Sequence, residues 1–225
     1  MMAAHFSASV RQTELGEYAF EGCKALTSFR FRRDLENKEE MHSKTPFKDC
    51  TVLTEFYLDN AVTRADWIPS APALKSINVA ADHPHFKSVD GVLYSKDKKT
   101  LLRVPSGIVG EFTVPRTVTS IGSNAFRGSR GITEVILPSS VTTVGDGAFA
   151  DCAALGSIDL PGKLTEVGKG AFRNCTSLSH IHVSGSVRHI GDGAFDGCKA
   201  IESITVSPEN KYYRAEGTKL IAVNK

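Results

Sequence analysis

The cysteines are the side chains of this sequence best suited to nucleophilic or metal-binding chemistry, and all of them fall at one repeated position. A nucleophile needs its own base and oxyanion donors, whereas side chains at equivalent repeat positions share one environment. Disulfides, a metal site and catalysis are the alternatives, but the number of cysteines is odd and in-register side chains point in parallel. The pattern therefore predicts free, buried thiols. They are Cys23, Cys50, Cys152, Cys175 and Cys198.

A histidine pair offers a second kind of chemistry. His180 and His182 lie in a stretch that alternates like a strand, so both face the same way, and Asp159 precedes His182 by one repeat. A His-x-His pair on a strand can supply two metal ligands. No fourth ligand or general base accompanies these residues. The sequence predicts polar surface here, with no catalytic residue, metal or cofactor, and a metal-dependent enzyme at Asp159, His180 and His182 is the remote alternative.

An internal repeat sets the positions of these residues. The pair Ala-Phe begins at residues 125, 148, 171 and 194, which is a period of 23 residues. Each copy ends in a short alternating segment, for example LSHIHV (178–183), which has the pattern of a half-buried strand followed by a Gly or Pro turn. Units this short cannot bury their own apolar side, so they must stack and share one core. The repeat therefore predicts a solenoid with a parallel sheet along one side.

Two further repeat positions have structural interpretations. The recurring phenylalanines should form an aromatic stack inside the solenoid. The glycines that open each copy, such as Gly145, should lie where the coil bends, in a conformation that a Cβ would strain. No copy has the spacing of a nucleotide-binding glycine loop. The stacking phenylalanines are Phe20, Phe47, Phe126, Phe149, Phe172 and Phe195.

The repeat pattern IGxxAFxxCxxLxxIxLPxxV resembles the BspA-like class of leucine-rich repeats, which occurs in surface proteins of bacteria and protists. The resemblance implies a mostly β, right-handed coil stack with a parallel sheet on one face and short helical or 3-10 turns opposite. The segment HFKSVDGVLYSKDKKTLLRVPSG (85–107) resembles the β-hairpin insert of that class, with turns at Asp90-Gly91 and Lys96-Asp97-Lys98. For exported members the resemblance implies adhesion or binding to host matrix, without enzymatic activity.

We expect residues 1–225 to form a single leucine-rich-repeat solenoid of about eight coils. Three segments should depart from the regular coil. The run RRDLENKEEMHSK (32–44) is a charged loop insertion, residues 80–108 hold the β-hairpin insert, and residues 207–225 form a partial hairpin or C-terminal cap. A charged run of this kind is usually a solvated loop.

Composition and charge exclude several classes of partner. The formal net charge is only +2, so there is no strong field to attract nucleic acid. No window of the sequence approaches eighteen consecutive apolar residues, so membrane insertion is not expected. The first twenty residues lack the features of a signal peptide. We expect a cytoplasmic protein if Met1 is the true start, and a cell-surface or secreted one if the chain is a piece of an exported family member.

Binding should fall to the residues that face outward from the strands. Such a ladder of side chains is the surface that solenoids generally use, and it suits another protein or a glycan better than a small substrate. The alternatives are a merely solvated sheet face and an intracellular structural component that self-associates through its solenoid ends. The expected binding residues are Arg30, Glu55, Tyr57, Asn78, Glu111, Glu134, Ile136, Asp159, His180 and His182.

Overall fold

The fold is known from a computed structural model, and all of its regular elements in the described residues are β-strands. The charged loop 32–44 lies outside the described residues. The strands in chain order are β1 (Ser28–Phe31), β2 (Glu55–Leu58), β3 (Ser76–Val79), β4 (Phe86–Val89), β5 (Val92–Ser95), β6 (Thr100–Arg103), β7 (Val109–Thr113), β8 (Ser120–Ile121), β9 (Gly131–Ile136), β10 (Thr143–Val144), β11 (Ser157–Ile158), β12 (Glu166–Val167), β13 (His180–Val183), β14 (His189–Ile190), β15 (Ser203–Val206), β16 (Tyr213–Glu216) and β17 (Lys219–Ala222). The described residues are 20–31, 47, 49–65, 68 and 70–223.

The solenoid predicted from the repeat is confirmed, and its interior holds a stack of phenylalanine rings. The ring centroids of Phe126 and Phe149 are 4.7 Å apart, and those of Phe149 and Phe172 are 5.0 Å apart with the planes inclined by only 3°. Phe195 continues the stack at 5.5 Å from Phe172. Because each ring is covered by the ring of the next coil, no coil completes its core alone.

The strands that end each repeat form parallel sheets along one side, as predicted, but the ladder is broken into three parts. These sheets have the orders β1-β2-β3, β7-β9-β11 and β13-β15. The first break follows from the hairpin insert. The Ile77 amide donates to the Gly91 carbonyl at 2.8 Å and the Ser88 hydroxyl donates to the Ile77 carbonyl at 2.6 Å, so the edge of β3 is already occupied. In the structure β7 therefore pairs with β9 and not with β3.

The expectation of short helical or 3-10 turns opposite the parallel sheet is wrong, because the described residues contain no helix. A second sheet, which the sequence analysis did not predict, runs along that side of the solenoid. It has seven strands in the order β14-β12-β10-β8-β6-β5-β4. Four of these strands are only two residues long, and each is a polar residue and an apolar residue directly before a glycine, as in Thr143-Val144-Gly145. The antiparallel hairpin β4–β5 joins this sheet through β6, which pairs in parallel with β8. The hairpin is thus an extension of the second sheet.

The glycines that open each copy are needed for a reason other than the one expected. Gly145, Gly168 and Gly191 do not have a positive φ. A Cβ at Gly168 would instead lie 2.5 Å from the backbone nitrogen of Asp146 on the preceding coil. The expectation of conformational strain was therefore wrong, because what excludes a side chain is the close approach of neighbouring coils. Left-handed backbone occurs two residues after the phenylalanines, as at Asp151, where φ is 63°.

A buried arginine lies where the hairpin meets the coils. The Arg103 guanidinium donates to the Ser70 hydroxyl at 2.7 Å and to the Asn124 carbonyl, so it links two segments that are far apart in the chain. Burial lowers the pKa of Arg103 to about 10, and the nearby Arg127 acts in the same direction. The Nε atom has no hydrogen-bond partner within the described residues. The cation is thus held mainly by neutral oxygen atoms.

Each hairpin is anchored by one side chain that accepts two backbone N–H bonds. In the first hairpin His83 Nδ1 accepts from the amides of His85 and Phe86, at 3.2 and 3.1 Å. In the second hairpin, formed by the antiparallel strands β16 and β17, Asn210 Oδ1 accepts from the amides of Tyr212 and Tyr213, both at 2.8 Å. Since His83 Nδ1 is an acceptor, the ring is neutral with its proton on Nε2, which lies 3.1 Å from a backbone carbonyl oxygen.

The phenylalanine stack gives a first testable expectation. Phe149→Ala removes a ring that is covered on both sides, and we expect it to lower the free energy of unfolding by about 3–5 kcal/mol. Phe195→Ala is the matched control, because Phe195 is half-buried and stacks on one side only. Urea denaturation of both variants measures the difference. Equal losses for the two substitutions would contradict the account of a shared core.

The anchoring histidine makes stability depend on pH. Burial lowers the pKa of His83, so the unfolded chain takes up a proton at this residue more readily than the folded chain. The stabilisation from neutral His83 is complete above the unfolded pKa of about 6.5 and is lost as the pH falls through the lower folded pKa. We expect the melting temperature to fall as the pH is lowered from 7.5 to 5.

His83→Asn provides the test, since asparagine performs the same task at position 210. The variant should fold, and its melting temperature should fall less over this pH range. His189→Asn, at an exposed histidine of β14, is the control and should keep the pH dependence of the parent. The same pH dependence in all three proteins would rule out His83 as the cause.

Candidate binding face

The parallel registers place the outward residues in columns that run from strand to strand. Most of the binding residues expected from the sequence lie within these strands and are neighbours across a sheet. Asp159 is the exception, since it directly follows Ile158, the last paired residue of β11. The first hairpin separates β3 from β7, whereas β11 and β13 lie in contact and the Ser179 amide donates to the Gly156 carbonyl at 3.3 Å. The three sheets present groups of outward side chains with different chemistry. The register pairs include Arg30 with Tyr57, Tyr57 with Asn78, Glu111 with Glu134, Thr113 with Ile136, and His182 with Thr205.

On the first sheet, an arginine and a tyrosine form a cluster that is held in place by two carboxylates. The guanidinium carbon of Arg30 lies 5.4 Å from the centroid of the Tyr57 ring, and Arg30 Nη1 lies 3.5 Å from Asp59 Oδ1. The Tyr57 hydroxyl donates to Glu55 Oε2 at 2.8 Å, and this bond raises the pKa of Tyr57. Asn78 extends the surface. Asp59 was missed by the sequence analysis, although its spacing of two residues from Tyr57 places it on the same face.

On the central sheet, two glutamates are direct neighbours. Glu111 and Glu134 are register partners in adjacent parallel strands, and Thr113 donates a hydroxyl hydrogen bond to Glu111 Oε1 at 3.3 Å. Ile136 lies beside them with 43% of its surface exposed. Val109, which was not selected from the sequence, is 72% exposed. The register between β7 and β9 shifts between Gly110 and Glu111. The alternation of polar and apolar residues in the sequence does not reveal this shift.

On the last sheet, the two histidines make hydrogen bonds to their neighbours. His182 Nδ1 lies 2.9 Å from the Thr205 hydroxyl, and His180 Nδ1 lies 2.8 Å from the Ser179 hydroxyl. His180 Nε2 lies 3.9 Å from a carboxylate oxygen of Glu202. In the part of the chain that the structure describes, no three His, Cys, Asp or Glu residues are grouped so that they could hold a metal ion. Asp159, His180 and His182 therefore do not form the ligand set that the metal-dependent alternative requires.

Four of the five cysteine thiols donate a hydrogen bond to a backbone carbonyl of the preceding coil. All five cysteines are free thiols. The Sγ of Cys152 donates to the Phe126 carbonyl at 3.0 Å, and the Sγ of Cys175 donates to the Phe149 carbonyl at 3.1 Å. Cys198 repeats the contact on the following coil. Burial raises the pKa of Cys152 to about 12, so this thiol stays protonated near neutral pH. Such a thiol is a poor nucleophile.

No described residue belongs to a helix that is long and apolar enough to span a membrane.

Sequence comparison identifies the repeat. The chain matches a family model described as "BspA type Leucine rich repeat region", with 6 copies over residues 4–83 and 107–216. The match covers more than half of the chain. No curated protein matches the sequence.

Several solved structures are similar to this chain. The pneumococcal vaccine antigen PcpA has a TM-score of 0.67 at 24% identity, over 82% of this chain and 43% of that one. A leucine-rich repeat protein from Eubacterium ventriosum has a TM-score of 0.67 at 25% identity, over 87% and 54%. A leucine rich cell surface protein from Faecalibacterium prausnitzii has a TM-score of 0.54 at 22% identity, over 84% and 62%. These similarities support the fold, and this chain spans less than two thirds of each neighbour.

The thiol environments give a second kind of test. Cys50, Cys152 and Cys175 are buried, whereas Cys23 and Cys198 are half-buried. We expect a maleimide reagent to label the half-buried pair in the folded protein and the buried three only after denaturation. Peptide mass spectrometry after timed labelling measures the order. Labelling of Cys152 in the folded protein as fast as in urea would show that the thiols are not core residues.

Proposed function

The chain belongs to the BspA type leucine-rich repeat family, and on that premise we propose that it is a non-enzymatic protein-binding module that uses the strand face of its solenoid. The strands hold side chains in fixed columns on a rigid support, which reduces the entropy lost on binding. The buried, hydrogen-bonded thiols and the ungrouped histidines supply no nucleophile or metal centre in the described residues. The scaffold therefore supports recognition better than catalysis.

The observation that carries this proposal is the Arg30–Tyr57 pair. Arginine and tyrosine are the residues enriched where binding energy concentrates in protein interfaces. Here the guanidinium lies over the ring, while Glu55 and Asp59 hold the two side chains in place. Because the pair is ordered before any partner arrives, binding does not need to fix it. A partner protein that offers an apolar or carboxylate group would fit this cluster, and a glycan that stacks on Tyr57 is the alternative ligand.

A more specific version of this proposal is that the protein partner is bound outside the cell, in adhesion. Of the similar structures, PcpA is a pneumococcal vaccine antigen and the Faecalibacterium prausnitzii protein is a cell surface protein. For this chain, display at a cell surface and binding of a protein outside the cell would agree with a rigid, exposed recognition face. The hairpin β4–β5 lies next to β3 and would contribute to the same contact.

A second candidate function is a structural component that assembles through the end of the solenoid. In the first hairpin, Gly91 and Ser88 hydrogen-bond to Ile77 and so occupy the free edge of β3. The second hairpin has Thr218 in the place of Gly91 and Ala215 in the place of Ser88. A Cβ at Gly91 would lie 2.8 Å from the Ser76 Cβ, so Gly91 can approach β3 only because it has no side chain. Thr218 has a side chain and could not approach β15 as closely. Within the described residues β15 pairs only with β13. Its other edge is suited to receive a strand from another molecule.

Paired affinity capture tests the proposed function. We expect the parent chain to retain a partner from the lysate or surface fraction of the source organism, and the Arg30→Ala, Tyr57→Ala double variant to lose it. Tyr212→Ala is the matched control, because Tyr212 is an exposed tyrosine next to the second hairpin and outside the Arg30–Tyr57 cluster. A partner kept equally by all three proteins would contradict the strand-face proposal and favour assembly through the solenoid end.

A further inference from the structure

The three sheets of the strand face differ in how their charges are balanced. On the first sheet Arg30 contacts both Asp59 and the Tyr57 ring. On the last sheet His180 lies near Glu202. On the central sheet, by contrast, no described basic residue forms an ion pair with Glu111 or Glu134. Within the described residues, the central sheet therefore presents negative charge to solvent that no basic side chain pairs with.

The two glutamates are also placed unfavourably with respect to each other. Register partners in adjacent strands are about 4.8 Å apart, and like charges directly opposite one another destabilise a sheet. Both side chains are exposed, and only a neutral hydroxyl, that of Thr113, bonds to one of them. A cation placed between the glutamates would relieve the repulsion. The register thus holds a pair of charges that a cationic group of a partner would neutralise.

Apolar side chains lie on either side of this pair. Val109 is two residues before Glu111 on β7, and Ile136 is two residues after Glu134 on β9. Both are largely exposed, at 72% and 43%. A Cβ at Gly131 would lie 2.6 Å from Val109 Cγ1, so the glycine makes room for the valine to lie across the neighbouring strand. Along the strand direction the face therefore presents an apolar, an acidic and then an apolar position, with Asp159 at its border.

We propose that this central patch, formed by Val109, Glu111, Glu134, Ile136 and Asp159, binds an extended segment of a partner protein with the pattern apolar-x-Lys-x-apolar. Same-face side chains of an extended segment recur every second residue, about 6.6 Å apart. On the patch, Val109 and Ile136 are each two residues from one of the glutamates. The basic side chain lies between the two glutamates, and the apolar side chains cover Val109 and Ile136. The inference rests on the proposed function and specifies the partner's chemistry.

Synthetic peptides provide the probe. We expect a twelve-residue peptide with three copies of Leu-Ser-Lys-Ser to bind the parent chain at least about tenfold more tightly than the same peptide with Glu in place of Lys, by surface plasmon resonance. Raising the salt concentration from 50 to 500 mM should weaken the binding. Equal binding of the two peptides would overturn the inference.

Variants of the chain locate the contact. The Glu111→Gln, Glu134→Gln double variant should bind the Lys peptide about tenfold more weakly, and Ile136→Ser should also weaken it. Glu166→Gln, which removes an exposed carboxylate from β12 on the opposite sheet, is the matched control and should bind like the parent. An equal loss with Glu166→Gln would overturn the inference, because it would show that binding follows overall charge.

Thermal melting separates a binding role from a structural one. Because Glu134→Gln removes a like-charge contact, its melting temperature should equal or exceed that of the parent while its affinity for the Lys peptide falls. A lower melting temperature would mean that Glu134 supports the fold and would overturn the inference. A captured partner that depends on Tyr57 but not on Glu111 and Glu134 would refute this inference alone, whereas the proposed function fails only if the dependence on Tyr57 is absent.

Discussion

Stacking of one coil on the next is the interaction on which the rest of the structure depends. The amide of Phe149 donates to the Ala171 carbonyl at 2.7 Å, and the amide of Phe172 donates to the Ala194 carbonyl at the same distance. The phenylalanine rings and the cysteine thiols repeat their contacts at the same interval. Coils this close leave no room for a Cβ at the opening glycines. The distance between adjacent coils thus determines the ring packing in the core, the backbone hydrogen bonds between coils and the need for glycine at the opening positions.

The first hairpin interrupts this regularity and divides the strand face into distinct surfaces. Closure of the β3 edge by Gly91 separates the first sheet of the strand face from the central one. The second hairpin follows the same plan, with Asn210 in the place of His83, but it does not close the edge of β15 in the same way. An otherwise uniform ladder is therefore interrupted after β3, and the outward side chains on the two sides of that break differ in their balance of charge and apolar area.

Function in such a scaffold depends on residues that do not maintain it. The repeated phenylalanine, cysteine and glycine positions are occupied by residues that pack between the coils. Tyr57, Glu134 and Ile136 face away from the core, so they can vary without cost to the coil stack. This is why the similarity to other leucine-rich repeat structures supports the fold, while the choice of partner must be argued from the outward side chains of this chain.

The sequence by itself determined the solenoid, the parallel strand face, the hairpin insert and the inward position of the phenylalanines, because each follows from a 23-residue period or from local alternation. It also placed Arg30 and Tyr57 on one face. It did not predict the second sheet, since two-residue strands are too short to show a period. Only the tertiary structure decided the break after β3, the exposure of Val109, and the burial of Arg103 between Ser70 and Asn124. These features arise from contacts between segments far apart in the chain, which no local pattern encodes.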